Sequence, residues 1–313
     1  MGYAKRHTMA PMSRFTLLIS RPLQPRSACL DTLFARGRPQ SAPPAGHALT
    51  RHLAEQFGVE AASLPALGLR HEGLDPGAGP WFHADPVHLL AGLHSITLFD
   101  LSAQPLEVDE AAALYQTLNV HFADTVEFQV PHPMRWYARF RVPPPIAPPP
   151  LDEVAGRPFD LAALGGREGR ALQALGMEIQ MLLHDHPVNE RRESLGLPTV
   201  NGLWFSGGGP PHRPRNRFDH ILAEDFTACA LAGAAGIDPE PPLLLPLSRL
   251  GAGDSLAVLP ASLTPAAADA EWFTPLLSAL RRRHWHELVV IEAFPGGRAT
   301  RLSAWDALAF WRG

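Results

Sequence analysis

Lysine is nearly absent from this chain: Lys5 is the single lysine among 27 lysines and arginines in 313 residues. That excludes Schiff-base chemistry and a lysine general base from everything downstream of it. Arginine carries the positive charge instead, as GC-rich coding favours. Cysteine is almost as scarce. Cys29 and Cys229 lie two hundred positions apart, match no zinc spacing, and read as reduced thiols of a cytoplasmic chain. No apolar run reaches the ~18 residues a membrane span needs, and Met1 to Ile19 has no signal-peptide core, so no membrane association is expected. A net charge of −4 and a pI near 6.4 argue against a generic nucleic-acid surface. Basic clusters at Arg191-Arg192, Arg213 to Arg217 and Arg281 to Arg283 lie apart in sequence and read as solvated faces or loops.

What the chain does have is 46% hydrophobic residues, enough for one large core or two moderate ones. Met1 to Met12 reads as a disordered tail or an upstream start. Strands are expected at Phe15 to Ile19, within Val87 to Leu101, at Val126 to Val130, Arg135 to Val142, Asp254 to Leu259 and Leu288 to Ile291. Helices are expected near Leu30, at Leu49 to Phe57, Glu107 to Phe122, Glu168 to Leu183, Thr227 to Ala235, Asp269 to Arg283 and Ala304 to Trp311. Leu64 to Pro80 reads as a Gly/Pro loop, Pro143 to Pro150 as an extended connection, and Leu243 to Leu247 as a further apolar segment. The alternation of strands with helices predicts an α/β fold.

The densest polar stretch is EIQMLLHDHPVNERRESLGLPTVNGLWFSGGGPP, Glu178 to Pro211. Leu172, Leu175, Ile179, Leu182 and Leu183 recur at helical spacing, and Pro187 forces the helix to stop near His186. His184, Asp185 and His186 then sit where unpaired carbonyls favour an imidazole, as caps or as ligand contacts. H-x-H across a helix stop lacks the i, i+4 geometry of a helical zinc pair, although His184 with Glu178 or Glu190 could share a cation. Asn189, Arg191 and Arg192 follow. An arginine fork grips carboxylate or phosphate with two parallel bonds, or makes local ion pairs on a solvated turn. Thr199 to Phe205, with Asn201 and Trp204, reads as a buried strand that runs into Gly207, Gly208 and Gly209. Such a loop beyond a strand's carboxyl end can bring bare N–H groups to an anion, or can simply turn the chain.

A second constellation is WFHADPVH, residues 81–88. His83 and Asp85 can face one another across a pocket, with His88 entering a strand; alternatively Asp85 caps a turn before Pro86 and the histidines satisfy backbone groups. Arg135 and Trp136 offer an anion contact and an aromatic wall, and Trp136 fits a core equally well.

The succession PPLDEVAGR (149–157), HDHPVNERRE and NGLWFSGGGPP resembles the substrate-domain part of archaeal-type cofactor-independent phosphoglycerate mutases, where tPPHD-x-x-G-K, HPVN-x-x-R and AN-x-IW-x-WGQG-x-x-P occur in that order. The likeness extends less clearly through Phe218-Asp219-His220 to Leu231–Ile237, and covers about half the chain, Leu98 to Ile237. WFHADPVHLL (81–90), the segment Glu110 to Asn119, MEIQMLLHDHPVN and the closing Phe310 to Arg312 are similar, over nearly the whole length, to a proteobacterial family labelled either phosphoglycerate mutase or RpfE-type regulatory protein. The resemblance implies an alkaline-phosphatase-like core of reduced size built from both chain ends (13–80 and 238–313), with an inserted α/β substrate-type domain at 81–237.

Mutases of this kind hold two divalent ions with Asp and His ligands beside a Ser or Thr nucleophile. Here the first strand runs into Ser20-Arg21-Pro22 where Asp-Gly belongs, and Leu288 to Ile291 runs into Glu292-Ala293-Phe294 where Asp-His-Gly or Asp-His-Ser belongs. Without the metals phosphoryl transfer loses its main electrostatic stabilisation. The expectation is a non-catalytic regulatory or ligand-binding protein without cofactor, whose partner is a phosphorylated small molecule or a regulatory protein. Its ligand-facing candidates are His83, Asp85, His88, Arg135, His184, His186, Asn189, Arg191, Asn201, Trp204 and Gly207 to Gly209. The alternative is a phosphoryl-transfer enzyme whose manganese or zinc ligands have moved to His83, Asp85, His184 and His186.

Overall fold

The computed structural model describes residues 13–40, 46–92, 95–146, 148–160, 166–242, 247, 250 and 253–308. The expected tail 1–12, residues 243–246 and the closing FWR lie outside the described residues. In chain order the elements are β1 (Arg14–Ile19), α1 (Ala28–Arg36), β2 (Arg38–Pro39), α2 (Leu49–Phe57), α3 (Leu64–His71), β3 (Phe82–Ala91), β4 (Ile96–Asp100), α4 (Val108–His121), β5 (Val126–His132), β6 (Arg135–Phe140), α5 (Leu151–Val154) and β7 (Pro158–Phe159). They continue as α6 (Gly166–His184), α7 (Pro187–Ser194), β8 (Gly202–Gly207), β9 (His220–Leu222), α8 (Phe226–Ala235), β10 (Ser255–Leu259), α9 (Pro265–Ala268), α10 (Thr274–Arg281), β11 (Glu287–Glu292), β12 (Ala299–Ser303) and α11 (Ala304–Leu308). The result is a mixed α/β protein with two sheets. No described helix is long and apolar enough to cross a membrane.

Two compact units form, one from Met1–Leu53 with Pro214–Gly313, the other from Ala54–Arg213. The borders thus fall away from 80/81 and 237/238, for reasons of packing. Leu64 to His71 is a helix instead of a loop, and its Leu69 packs with Trp81 and Tyr137, which draws it into the second unit. Beyond Arg213, β9 pairs in parallel with β10, which draws it and α8 into the first.

In the first unit the sheet order is β2-β12-β11-β1-β10-β9. β1 lies parallel to both neighbours, with Leu17 opposite Ala257 and Val290. Its run FTLLI is buried throughout, as a strand covered on both faces must be. Phe15 meets Trp285 edge-on with ring centroids 4.7 Å apart, inside a core that includes Trp272, Phe273, Leu276 and Leu280. The helix expected over 269–283 is broken: α9 leads into a π turn at 269–273, where the Thr274 N–H bonds back to Asp269 O, and then α10. Pro275 has no N–H to give, so the ladder shifts by one residue ahead of it.

The second unit is antiparallel, in the order β5-β6-β3-β4-β7, with β8 pairing along the first half of β3. The single interrupted strand expected over 87–101 is a hairpin, β3 to β4, with Leu89 opposite Leu98. Alternation sorts its side chains. Ala84, Trp136, Ala138, Phe128, Leu203 and Phe205 share the face that packs against Leu114 and Leu118 of α4 and Ile179 and Leu183 of α6. His83, Asp85 and Val87 of β3 therefore point to the opposite face, with Tyr137 of β6 and Trp204 and Ser206 of β8 in register beside them. Leu114 is fully buried in the helix-covered core. Leu114→Ala is expected to lower the unfolding free energy by about 2–5 kcal/mol, read as a fall in the urea midpoint.

Candidate functional site

The HDHPVNERRE stretch folds into a clamp. α6 ends at His184, and Pro187 opens α7 at the position where a missing N–H costs nothing. His186 caps α7: its Nδ1 accepts the Val188 N–H at 3.2 Å, which leaves Nε2 to donate to Thr117 Oγ1 of α4 at 3.0 Å. Burial holds its imidazole below the ordinary histidine range. Asn189 donates to the carbonyls of Leu183 (2.7 Å) and Val200 (2.8 Å) and accepts the Val200 N–H at 2.8 Å. Arg192, 1% exposed, donates to Glu110 Oε2 (2.7 Å) and to the carbonyls of Gln104 (2.8 Å), Pro105 (3.4 Å) and Pro198 (2.8 Å). Glu110 also accepts the Glu107 N–H in the capping box of α4. Arg191, the arginine expected to face a ligand, is exposed, as is His184.

Asn201 pairs through its amide with both backbone groups of Leu89 (2.6 and 2.9 Å), which seats the chain just ahead of β8. His88 Nδ1 lies 2.9 Å from Thr199 O. The glycine run is a packing device. Its strand is antiparallel, so the rule for ligands at parallel strand ends does not reach it. Gly207 and Gly208 have φ of +101° and +87°, and a Cβ on Gly208 would stand 2.1 Å from the Phe82 ring. The Gly208 and Gly209 N–H groups donate to Trp81 O and Ala62 O, and are spent within the protein.

The other face of β3 is built differently. His83 and Asp85 lie between two apolar clusters, Leu69-Trp81-Tyr137 on one side and Val87-Leu98-Val154-Trp204 on the other. The His83 and Tyr137 rings are 5.3 Å apart, and Ser206, 3% exposed, sits opposite His83 on β8. The Tyr137 hydroxyl is buried with no hydrogen-bond partner. Burial lowers the His83 imidazole to about 4. Burial first, and then the Asp152 carboxylate of α5, raises Asp85 to about 7. Tyr137 is pushed well above its ordinary value by burial and by the charges of Glu72 and Asp85. Arg135 lies on this side but is paired with Glu72, and Arg139 with Glu127. Trp204 donates its Nε1 proton to Pro149 O at 2.9 Å.

Of the candidates from sequence, His83, Asp85, Trp204 and Arg135 thus share one face, while His184 and His186 lie at the end of α6, which covers the other. Tyr137 and Ser206 carry no motif and become visible only once the strands pair. The odd-numbered alternation through β3 and β6 could have linked His83, Asp85, Arg135 and Tyr137 once their strands were known to pair. Among the described residues, no three His, Cys, Asp or Glu side chains gather as a metal ion would require.

In the first unit, Glu292 ends β11 in register with Ile19, the last residue of β1. It is 5% exposed and held by Arg26 Nη2 at 3.1 Å, by the Arg298 N–H at 3.1 Å and by Arg298 Nε at 3.3 Å. Burial pushes this carboxyl up, and Arg26 pulls the other way.

No family model matches the sequence. A 2,3-bisphosphoglycerate-independent phosphoglycerate mutase of Methanothrix thermoacetophila is 37% identical over 71 residues, 22% of this chain and 18% of the relative, so the match spans less than a fifth of that protein. Among solved structures, a cofactor-independent phosphoglycerate mutase from Thermoplasma acidophilum is similar over 93% of this chain and 90% of its own, with 15% identity and a TM-score of 0.37. The PH0037 protein from Pyrococcus horikoshii is similar over 93% and 86%, with 12% identity and a TM-score of 0.47. The chain bears a distant resemblance to cofactor-independent phosphoglycerate mutases, and the 71-residue match carries it.

Two outcomes are expected. Arg192→Met leaves Glu110 buried without its partner and should cost about 3–5 kcal/mol, whereas Arg191→Met should stay within about 0.5 kcal/mol; urea titrations separate them. Asp85 and His83 have opposite pH signatures. An unfolded Asp ionises near 3.8 while Asp85 keeps its proton until about 7, so its contribution is full below 3.8 and is lost as pH rises through 7. His83 contributes fully above 6.5 and loses it as pH falls toward 4. Relative to wild type, Asp85→Asn should gain midpoint from pH 4 to pH 8, and His83→Gln should gain it in the reverse direction.

Proposed function

We propose that this chain is a non-catalytic regulatory or ligand-binding protein, of the RpfE type, on a scaffold derived from cofactor-independent phosphoglycerate mutases. The observation that carries the reading is the Glu292 cluster. A carboxylate at the end of a central parallel strand is available to a metal ion only if nothing else neutralises it, and here two guanidinium groups do so. Ser20 and Arg21, which follow β1 at the same edge, supply no second carboxylate. Two-metal phosphoryl transfer needs a clamp of cations on both the attacking and leaving oxygens, and arginines fixed to a buried glutamate cannot act as their substitute.

The remaining chemistry lies on the β3 face, where His83, Asp85, Tyr137 and Ser206 form a polar strip between aromatic walls. Such convergence of a few polar groups in an apolar frame suits a small ligand. A cytoplasmic setting agrees with the two free thiols. The test is metal content and turnover. Protein purified without chelators should hold only substoichiometric manganese and zinc, and should leave 3-phosphoglycerate and p-nitrophenyl phosphate unchanged when either metal is added. Stoichiometric metal whose removal abolishes turnover sinks the reading.

A further inference from the structure

We propose that the polar strip on β3 binds a protonated small amine, with Asp85 as its counter-ion, Tyr137, His83 and Ser206 as hydrogen-bond acceptors, and Trp204 as an aromatic wall. This rests on the ligand-binding reading above and names the class of ligand.

A buried hydroxyl without a partner forfeits the hydrogen bonds it made to water, and a group left in that state calls for a partner from outside the chain. The Tyr137 hydroxyl is in that condition, beside His83 and within the field of Asp85. Asp85 has no hydrogen bond to a neighbouring side chain among those the structure shows, although it stands on the same face. A buried hydroxyl without a partner and a half-buried carboxyl on the same face point to one shared ligand.

The charges select its sign. The polar and charged groups on or beside this face are His83 on β3, Tyr137 and Arg135 on β6, Ser206 and Trp204 on β8, Asp152 on α5, and Glu72 after α3, which pairs with Arg135. Arg135 is held by Glu72, and Arg139, further along the same strand, by Glu127. A phosphorylated ligand would therefore meet a carboxyl and its acidic neighbour, while the two arginines of β6 among the described residues are already paired. An ammonium group meets the reverse arrangement. It has three N–H donors and no acceptor, and the strip offers a carboxylate, a phenol oxygen, a serine oxygen and an imidazole kept neutral by burial. Neutral imidazole matters because a protonated one would repel the cation. Trp204 and Tyr137 add aromatic rings, whose faces attract cations.

Binding moves a proton. Burial raises Asp85 toward neutrality, and an ammonium beside it holds it ionised, so amine binding near pH 7 releases protons.

The experiment uses the full chain and three probes, methylammonium, ethanolamine and putrescine, each against sodium chloride at equal ionic strength, with 3-phosphoglycerate and ethylene glycol as the anionic and uncharged comparisons. At least one amine should raise the melting temperature saturably, with affinity weakened about tenfold or more in Asp85→Asn and in Tyr137→Phe. Circular dichroism checks that both variants fold, and the Tyr137→Phe ring keeps the packing. Calorimetry in two buffers of different ionisation enthalpy should report the released proton. The proposal is overturned if none of the amines shifts wild type, if Asp85→Asn binds the amine equally well, or if 3-phosphoglycerate alone binds. Amine binding accompanied by metal-dependent turnover would remove the non-catalytic reading and leave the ligand class standing.

Discussion

The second unit depends on one buried guanidinium. Arg192 draws together the capping box of α4, the loop carbonyls at Gln104 and Pro105, and the approach to β8 at Pro198. An ion in that position needs its donors paired, because desolvation costs several kcal/mol before any pairing. Glu110 and three carbonyls take four of its five N–H groups, and the segments that carry them are thereby fixed relative to one another. Asn189 repeats the device one turn earlier, with a single amide bridging the end of α6 and the strand that follows. The β3 face can then be presented by a rigid sheet, because its opposite side is locked to α4, α6 and α7.

Two carboxyl groups, one buried and one half-buried, show contrasting solutions. Glu292 in the first unit is enclosed by Arg26 and Arg298, and its charge is settled internally. Asp85 in the second has an acidic neighbour, Asp152, and no arginine among the described residues pairs with it. The same residue class thus meets two guanidinium groups in one place and a carboxylate in the other, and the difference is made by partners that lie distant in sequence. Arg26 reaches Glu292 across 266 residues.

Much of the layout was legible in the residues. Helical spacing from Leu172 to Leu183, the proline stop at Pro187 and the apolar run FTLLI all gave elements close to those observed, since each is a local pattern. The site was harder to read. Arg191 and Arg192 are adjacent and chemically identical, yet one is exposed and the other 1% exposed, because only the rotation of α7 against α4 distinguishes them. The glycine run looked like an anion cradle because glycine frees N–H groups in general; here Trp81 and Ala62 supply carbonyls that take them. Tyr137 drew no notice because a single tyrosine in a strand carries no motif.

The sequence by itself determined the alternation of elements, the residues Ser20-Arg21-Pro22 and Ala293-Phe294 that follow β1 and β11, and the resemblance that the HDHPVN and glycine segments carry. Only the tertiary structure decided which polar residues are satisfied and which are left open. Hydrogen bonding and desolvation are properties of neighbours in space, and the pairing of β3 with β6 and β8 is what sets His83, Asp85, Tyr137 and Ser206 side by side.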